Sequence, residues 1–256
     1  MAKRLIDWDA YLTDFHAASP GITEDVLLRS HADGIDPYRW LTDEIPADAT
    51  ILDLGCGSGP ARPPAAERWA GIDLSASELE RAVQRGRATV LRGDMAALPI
   101  PSRSVDVVTC SMAMMLAHPI TEVLSEVRRV LRPGGQLRLL LPARSPLTAH
   151  DRVTYLRLFV AARATTQFPP TQMRRSAKAT LEAAGLTIAS DERHRFNHVV
   201  TNAEDAHRFV RSWYLPTVTP ERRSAAQRRA AALAPFPIGI PLRRIVAITE
   251  SRTARD

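Results

Sequence analysis

The most strongly patterned part of the chain begins with a short apolar run, "ILDL" at 51–54, followed by glycines at alternate positions in "GCGSG". Four more apolar runs of strand length lie at 69–73, 88–91, 105–110 and 136–141, each bounded by turn residues, which predicts buried strands. Between the last two, "ITEVLSEVRRVLRPGG" puts Val123, Leu124, Val127, Val130 and Leu131 on one face of a helix, and Pro133-Gly134-Gly135 is expected to end it. Strand alternating with helix predicts an α/β fold, a doubly wound and mostly parallel sheet.

Both flanks carry helical patterning instead. Leu5, Trp8, Tyr11, Leu12 and Phe15 form one apolar stripe, and Ser19-Pro20-Gly21 marks a break. Residues 148–163 and 203–214 also predict helices. "SAKATLEAAGLTIASDERHRF" reads as a helix stopped at Gly185 and followed by a strand, and "LRRIVAIT" (242–249) reads as a closing strand. The Pro-rich stretches at 60–64, 169–170 and 216–220 predict loops, and no internal repeat or disordered linker is visible.

Composition narrows the class. Of 256 residues, 45% are hydrophobic and 24% charged, as in globular proteins able to bury a substantial core. No run approaches the roughly 18 apolar residues of a membrane span, and the start lacks a signal peptide's apolar stretch. Cys56 and Cys110 match no metal-ligand spacing, so reduced thiols and a cytoplasmic location are expected. The net charge of +6 is unevenly spread. Residues 1–60 carry 4 Lys+Arg against 11 Asp+Glu, whereas residues 141–256 carry 19 against 9. Only Lys3 and Lys178 are lysines. Arginine and alanine in such excess suit a GC-rich coding bias, with an anionic partner as the alternative.

The glycine motif then asks which ligand it holds. A dinucleotide fingerprint is G-x-G-x-x-G, its third glycine giving close helix–strand packing beneath a pyrophosphate. Here Gly55, Gly57 and Gly59 are followed by Pro60 where that third glycine belongs, and by Pro63 and Pro64. Proline lacks the N–H that a phosphate-binding helix start needs, so NAD fits poorly. Three acids suggest a different ligand. Asp53 ends the first strand, Asp73 ends the second where a carboxylate can take both ribose hydroxyls, and Asp94 follows the third, placed for an adenine amine. They outline an adenosine carrying a cationic, amino-acid-like group.

Residues 50–142 resemble the class I S-adenosylmethionine-dependent methyltransferases, and the small-molecule branch of that family in particular. "LDLGCGSG" is similar to the family's first motif and "GIDLSASELERA" to its second. "GDMAALPIPSRSVDVVTCS" is similar to the region after strands three and four, and "VRRVLRPGGQLRLLLP" to the turn into strand five. The resemblance implies a Rossmann-like sheet in a single domain, 1–256. Residues 1–45 would form a helical N-terminal lid, 46–142 the cofactor-binding core, and 143–256 acceptor-side helices and closing strands.

It further implies S-adenosylmethionine as cofactor. Asp53 would anchor the amino group, and Gly55, Cys56, Gly57 and Gly59 would let the backbone approach the methionyl part. Asp73 would hold the ribose, Leu74 would pack on the adenine, and Asp94 and Met95 would hold the adenine edge. Ser111 and Met112 would line the methionyl and acceptor side. The segment from Gly55 to Asp73 is about three residues shorter than is common in the family, so its helix is expected to be short by roughly a turn, with Pro63 and Pro64 at its start.

The expected partner is a small-molecule acceptor, with no membrane association; oligomeric state is not encoded in any motif. His118, after strand four, and His16, on the lid helix, are the candidate general bases, since histidine suits proton transfer at cellular pH. Two rival readings stand beside this one. An RNA methyltransferase is favoured by the basic C-terminal portion, but "SMAM" occupies the place of a base-flipping N-P-P-Y tetrapeptide and aromatics are only 5%. The other is a cyclase or binding protein that keeps the cofactor and no longer methylates, because the acids report cofactor binding only.

Overall fold

The computed structural model describes residues 6–250. Its N-terminal part contains helices α1 (Trp8–Ala18), α2 (Ile22–Leu27) and α3 (Pro37–Thr42), with a two-residue strand β1 (Ser30–His31) between the last two. Then come β2 (Thr50–Leu54), β3 (Arg68–Asp73), α4 (Ala76–Gln84), β4 (Val90–Arg92), β5 (Val105–Ser111), α5 (Ile120–Val130) and β6 (Leu131–Pro142). The chain finishes with α6 (Ala149–Ala162), α7 (Gln172–Ala183), β7 (Thr187–Val200), α8 (Ala203–Arg211), α9 (Pro220–Leu233) and β8 (Phe236–Ile248). Of the predicted apolar stripe, Leu5 lies outside the described residues.

All eight strands form one sheet, in the order β1-β7-β8-β6-β5-β2-β3-β4. β2 to β6 pair in parallel, while β8 runs antiparallel to β6 and β7, and β7 antiparallel to β1. This is the Rossmann-like α/β architecture that the sequence pattern predicts. Alternate residues of the parallel strands face opposite layers. Leu52, Leu54, Val108, Cys110 and Leu139 pack with α5 and α7 through Val123, Leu124, Val127 and Leu181. On the other face, Ile51, Trp69 and Val107 pack with Leu79 of α4.

One predicted element is absent. Residues 55–67 form turns with no helix, so the expected short helix of the first crossover does not exist. Pro60, Pro63 and Pro64 remove three backbone donors within five residues, leaving no stretch able to build a helical ladder. The Trp69 indole fills the space on the sheet: a Cβ on Gly59 or Gly71 would lie 3.2 or 2.8 Å from its ring.

Two boundaries also differ. Helix α5 stops at Val130 and the strand begins at once at Leu131, so Pro133-Gly134-Gly135 forms an irregularity within β6 rather than the helix stop. β8 starts at Phe236, six residues before the predicted strand, because Pro237 and Pro241 disguise it. They are tolerated because β6 pairs only with residues 242–248 of β8, leaving an unpaired side ahead of them.

The extended β7–β8 pair carries a second core. Phe236, Ile238 and Val200 pack with Leu158 of α6, Phe209 and Val210 of α8, and Ala226 and Ala230 of α9. Asp151 ties this unit together. It is fully buried, accepts from Arg195 Nε and Nη2 at 2.7 Å each, and accepts from the Gly239 N–H at 2.7 Å and from Thr148 as a capping box. Among the described residues no helix is long and apolar enough to cross a membrane.

His198 of β7 is buried in the same unit, its ring stacked on Phe209 at 5.4 Å and its Nδ1 3.2 Å from the Ser30 hydroxyl of β1. Burial, the main cause, pushes its pKa down to about 4 from an ordinary 6.5. A histidine held neutral contributes stability that is intact above pH 6.5 and is lost as the pH falls towards 4, because the unfolded chain takes up the proton first. Denaturant unfolding of the native chain and of His198→Gln between pH 4 and 7 should therefore differ in slope, the native chain losing up to about 3 kcal/mol more on acidification. Parallel curves would contradict this account.

Candidate functional site

The centre of the site is the end of β2. Asp53 is almost fully buried, and its register partner Thr109 on β5 donates a hydroxyl hydrogen bond to Oδ1 at 2.9 Å. Its other oxygen, Oδ2, is buried with no partner. A carboxylate left so is costly, and desolvation, with the charge of Asp73 adding to it and Thr109 opposing it, raises the pKa to about 7. The Ser111 hydroxyl at the end of β5 is likewise buried and unpartnered. Two unsatisfied polar groups at neighbouring strand ends mark a place built for a ligand.

The glycine loop wraps this point. Gly55, Gly57 and Gly59 all have positive φ (62°, 53° and 76°), a region that favours glycine. Gly55 is constrained by space as well, since a Cβ there would come within 2.3 Å of the Ala113 side chain. The loop's N–H groups are mostly spent internally. Those of Gly55 and Cys56 bond the Ile72 carbonyl, and that of Gly59 bonds the Cys56 carbonyl. The Gly57 N–H donates to Asp73 Oδ2 at 2.8 Å, and the Ser75 N–H donates to the other oxygen at 2.8 Å. With no helix following and few free donors, the loop is not a phosphate cradle. Asp73 keeps lone pairs on both oxygens for further donors. Cys56 and Cys110 are buried free thiols, held protonated chiefly by desolvation.

The remaining predicted residues lie at the ends of β3, β4 and β5. Leu74 is 60% exposed beside Asp73, an apolar surface open to a flat ligand. Asp94 is exposed and accepts from the Ala96 N–H at 2.9 Å, and Met95 is half-buried next to it. Met112 follows Ser111 in a left-handed conformation, φ 58°. Thus Asp53, Asp73, Asp94 and the loop do converge at the carboxyl ends of consecutive parallel strands.

The N-terminal helices close on this site through residues the sequence reading did not single out. Glu78 of α4 accepts from the Gly21 N–H at 2.8 Å and lies 3.8 Å from His16 Nδ1. Glu24 of α2 is buried between Ser58 of the glycine loop and Arg85, and Asp25 pairs with Arg81 at 2.8 Å. In sequence, Ser75 and Glu78 form a capping-box pattern, and Ser75 does cap α4. That pattern hides the contact of Glu78 with Gly21 and His16, which only the tertiary fold reveals.

The two histidines separate. His118 is exposed at the start of α5. His16 is half-buried, its Nε2 3.3 Å from the Tyr214 hydroxyl. Tyr214 lines a cavity of about 560 Å³ that also takes in Met112 and Met115 beyond β5, Leu27 of α2, Phe159 of α6 and Trp213. His118 is not among the residues lining it.

Residues 52–139 match the family model described as a methyltransferase domain. The chain is 37% identical over 108 residues to nocamycin O-methyltransferase of Saccharothrix syringae, covering 38% of this chain and 39% of that one. It is 37% identical over 114 residues to U6 snRNA (guanine-N(2))-methyltransferase THUMPD2 of Bos taurus, covering 38% of this chain and 23% of that one. The chain therefore spans well under half the length of these curated relatives. A solved SAM-dependent methyltransferase of Methanosarcina mazei superposes with a TM-score of 0.52 at 17% identity, over 85% of this chain and 100% of that one. The donor set suits that family's cofactor: an unpartnered buried carboxyl at Asp53 answers a cationic amino group, Asp73 answers hydroxyl donors, and exposed Leu74 answers an aromatic ring. With the motif, the strand order and the donor set in agreement, residues 52–139 carry a methyltransferase domain, within a fold similar to that of the class I S-adenosylmethionine-dependent methyltransferases.

Proposed function

We propose that the chain transfers a methyl group from S-adenosylmethionine to a small organic acceptor seated in the cavity between the strand ends and the helices α2, α6 and α8. The observation that carries this reading is Met112: it follows directly on the Ser111 hydroxyl at the strand ends and also lines the apolar cavity. Cofactor side and acceptor side thus adjoin. We assign Asp53 to the amino group, Asp73 to the ribose, Leu74, Asp94 and Met95 to the adenine, and Gly55, Cys56, Gly57, Gly59 and Ser111 to the methionyl part. We take residues 1–256 as one domain.

Bound there, the cofactor supplies an electrophilic methyl carbon. The chain's own task is alignment in a dry enclosure, a source of rate that can reach effective molarities of about 10⁵ M or more. Met115, Leu27, Phe159 and Trp213 give the cavity an apolar wall. If the acceptor carries a proton, His16 is the favoured base. Glu78 faces its Nδ1 and Tyr214 its Nε2, so the tyrosine hydroxyl stands between the histidine and the cavity. Burial raises the Tyr214 pKa well above its ordinary value, so its phenol stays protonated and relays a hydrogen bond.

A second reading, methylation of RNA, is supported by the THUMPD2 likeness and by the excess of arginine. Against it, Arg195, Arg208, Arg243 and Arg244 are paired with Asp151, Asp205, Asp191 and Glu192. A gel-shift titration against structured RNA is expected to show only weak binding that vanishes near physiological salt. Selective binding that survives there would favour the RNA reading.

Calorimetry with S-adenosylhomocysteine tests the cofactor assignment. Asp73→Ala removes charge-assisted hydrogen bonds of about 1.5–3 kcal/mol, a loss of roughly ten- to a hundredfold in affinity. Because Asp53 titrates near pH 7 when free, meeting the ligand's ammonium group should drive off its proton. Affinity should rise from pH 5 to 7 and then level, with proton release visible as a dependence of heat on buffer; Asp53→Asn should abolish both. Tight NAD binding, or an Asp73→Ala protein that binds normally, would refute the assignment.

His16→Ala should cost about 10²-fold in single-turnover methyl transfer to a hydroxyl acceptor, with S-adenosylhomocysteine affinity within a few-fold of native. His118→Ala, by its position, should leave the rate unchanged. Native rates in both variants would mean that alignment alone carries the reaction.

A further inference from the structure

The cavity has a chemical polarity that narrows its occupant. Its walls are almost wholly apolar, and no acidic side chain lines it. Its only charged lining residues among the described ones are Arg144, just after β6, and Arg152, in the first turn of α6. Neither makes a salt bridge or a side-chain hydrogen bond among the described residues, unlike the paired arginines of β7, α8 and β8. The acid nearest in sequence, Asp151, is wholly engaged by Arg195, Gly239 and Thr148 and does not neutralise Arg152. A third cation stands just behind. The Arg174 guanidinium lies 4.4 Å above the ring of Phe168, itself a cavity residue, and the charge of Arg144 bears on it as well.

Arg144 and Arg152 are exposed at the rim of this apolar cavity, and their planar donor forks match the two oxygens of a carboxylate. Resting on the methyltransferase reading above, we infer that the acceptor is an amphipathic anion: an apolar body that fills the cavity and a carboxylate held by Arg144 and Arg152. A cationic acceptor of the same shape is disfavoured, which is a selection between substrate classes and not merely added affinity.

Matched probes test this on the whole chain by calorimetry. Decanoate, decan-1-ol and decylammonium share an apolar body and differ in the head group; 2-naphthoate and 2-naphthalenemethanol repeat the comparison for a flat body. At least one carboxylate should bind tenfold or more tighter than its neutral partner, and decylammonium should bind weakest. The double variant Arg144→Gln with Arg152→Gln should erase the preference and leave the neutral probes unchanged. Arg144→Glu with Arg152→Glu should reverse it towards decylammonium. Equal binding of charged and neutral probes, no binding by any, or a preference that survives the double variant would overturn the inference. S-adenosylhomocysteine is titrated into the same samples. Loss of its binding alone would sink the methyltransferase reading and leave the anion site standing, whereas normal binding of it beside indifferent probes would sink only the anion site.

Discussion

A half-satisfied carboxyl at the end of a central strand is the constraint around which this molecule is arranged. Asp53 holds one hydrogen bond, from Thr109, and buries a second oxygen with none. Such a group is tolerated only where the surrounding packing is strong enough to impose it, and here β2 lies between β3 and β5 with cores on both faces. The left-handed glycine loop follows because the chain must turn away from Asp53 at once, at a place where Ala113 leaves no room for a side chain. The missing helix follows too. With the loop's N–H groups turned back on Ile72, Cys56 and Asp73, and three prolines after them, residues 55–67 cross the sheet as turns and Trp69 covers the exposed face.

The N-terminal helices are tied to the same point. Glu24 and Glu78 come from opposite sides, one on α2 and one on α4, and between them fix Ser58 in the loop, the Gly21 backbone and His16. Whatever occupies the space beside Asp53 therefore acts on the N-terminal helices through side chains only one residue removed from the glycines. Two of the acids among the first 60 residues, Asp25 and Glu24, are answered from α4 by Arg81 and by Arg85 just after it.

The central sheet was legible because its signals are local. A parallel strand buried on both faces reads as an unbroken apolar run, and Asp53, Asp73 and Asp94 each stand where such a run ends. What stayed hidden depends on partners far away in sequence. Pro237 and Pro241 looked like breakers because nothing local says that one side of β8 is unpaired there. Pro63 and Pro64 read as a shortened helix start, when with Pro60 they remove the helix altogether. Thr109 and Glu78 are ordinary residues in ordinary patterns, and their contacts with Asp53 and Gly21 exist only once β5 and the N-terminal helices are placed.

The charge asymmetry of the sequence acquires a spatial meaning in the same way. An excess of arginine over lysine needs no function to explain it, and Arg195, Arg208, Arg243 and Arg244 of the C-terminal portion are each neutralised by a neighbouring acid. Their count therefore says little about partners. Among the arginines that have no acid partner within the described residues, Arg144 and Arg152 are set apart by their place on the border of an apolar cavity. The site is thus negative on the side of Asp53, Asp73 and Glu78 and positive on the side of Arg144 and Arg152. Arg144 and Arg152 are exposed at the cavity rim, and a gradient of this kind steers an approaching anion before any contact is made.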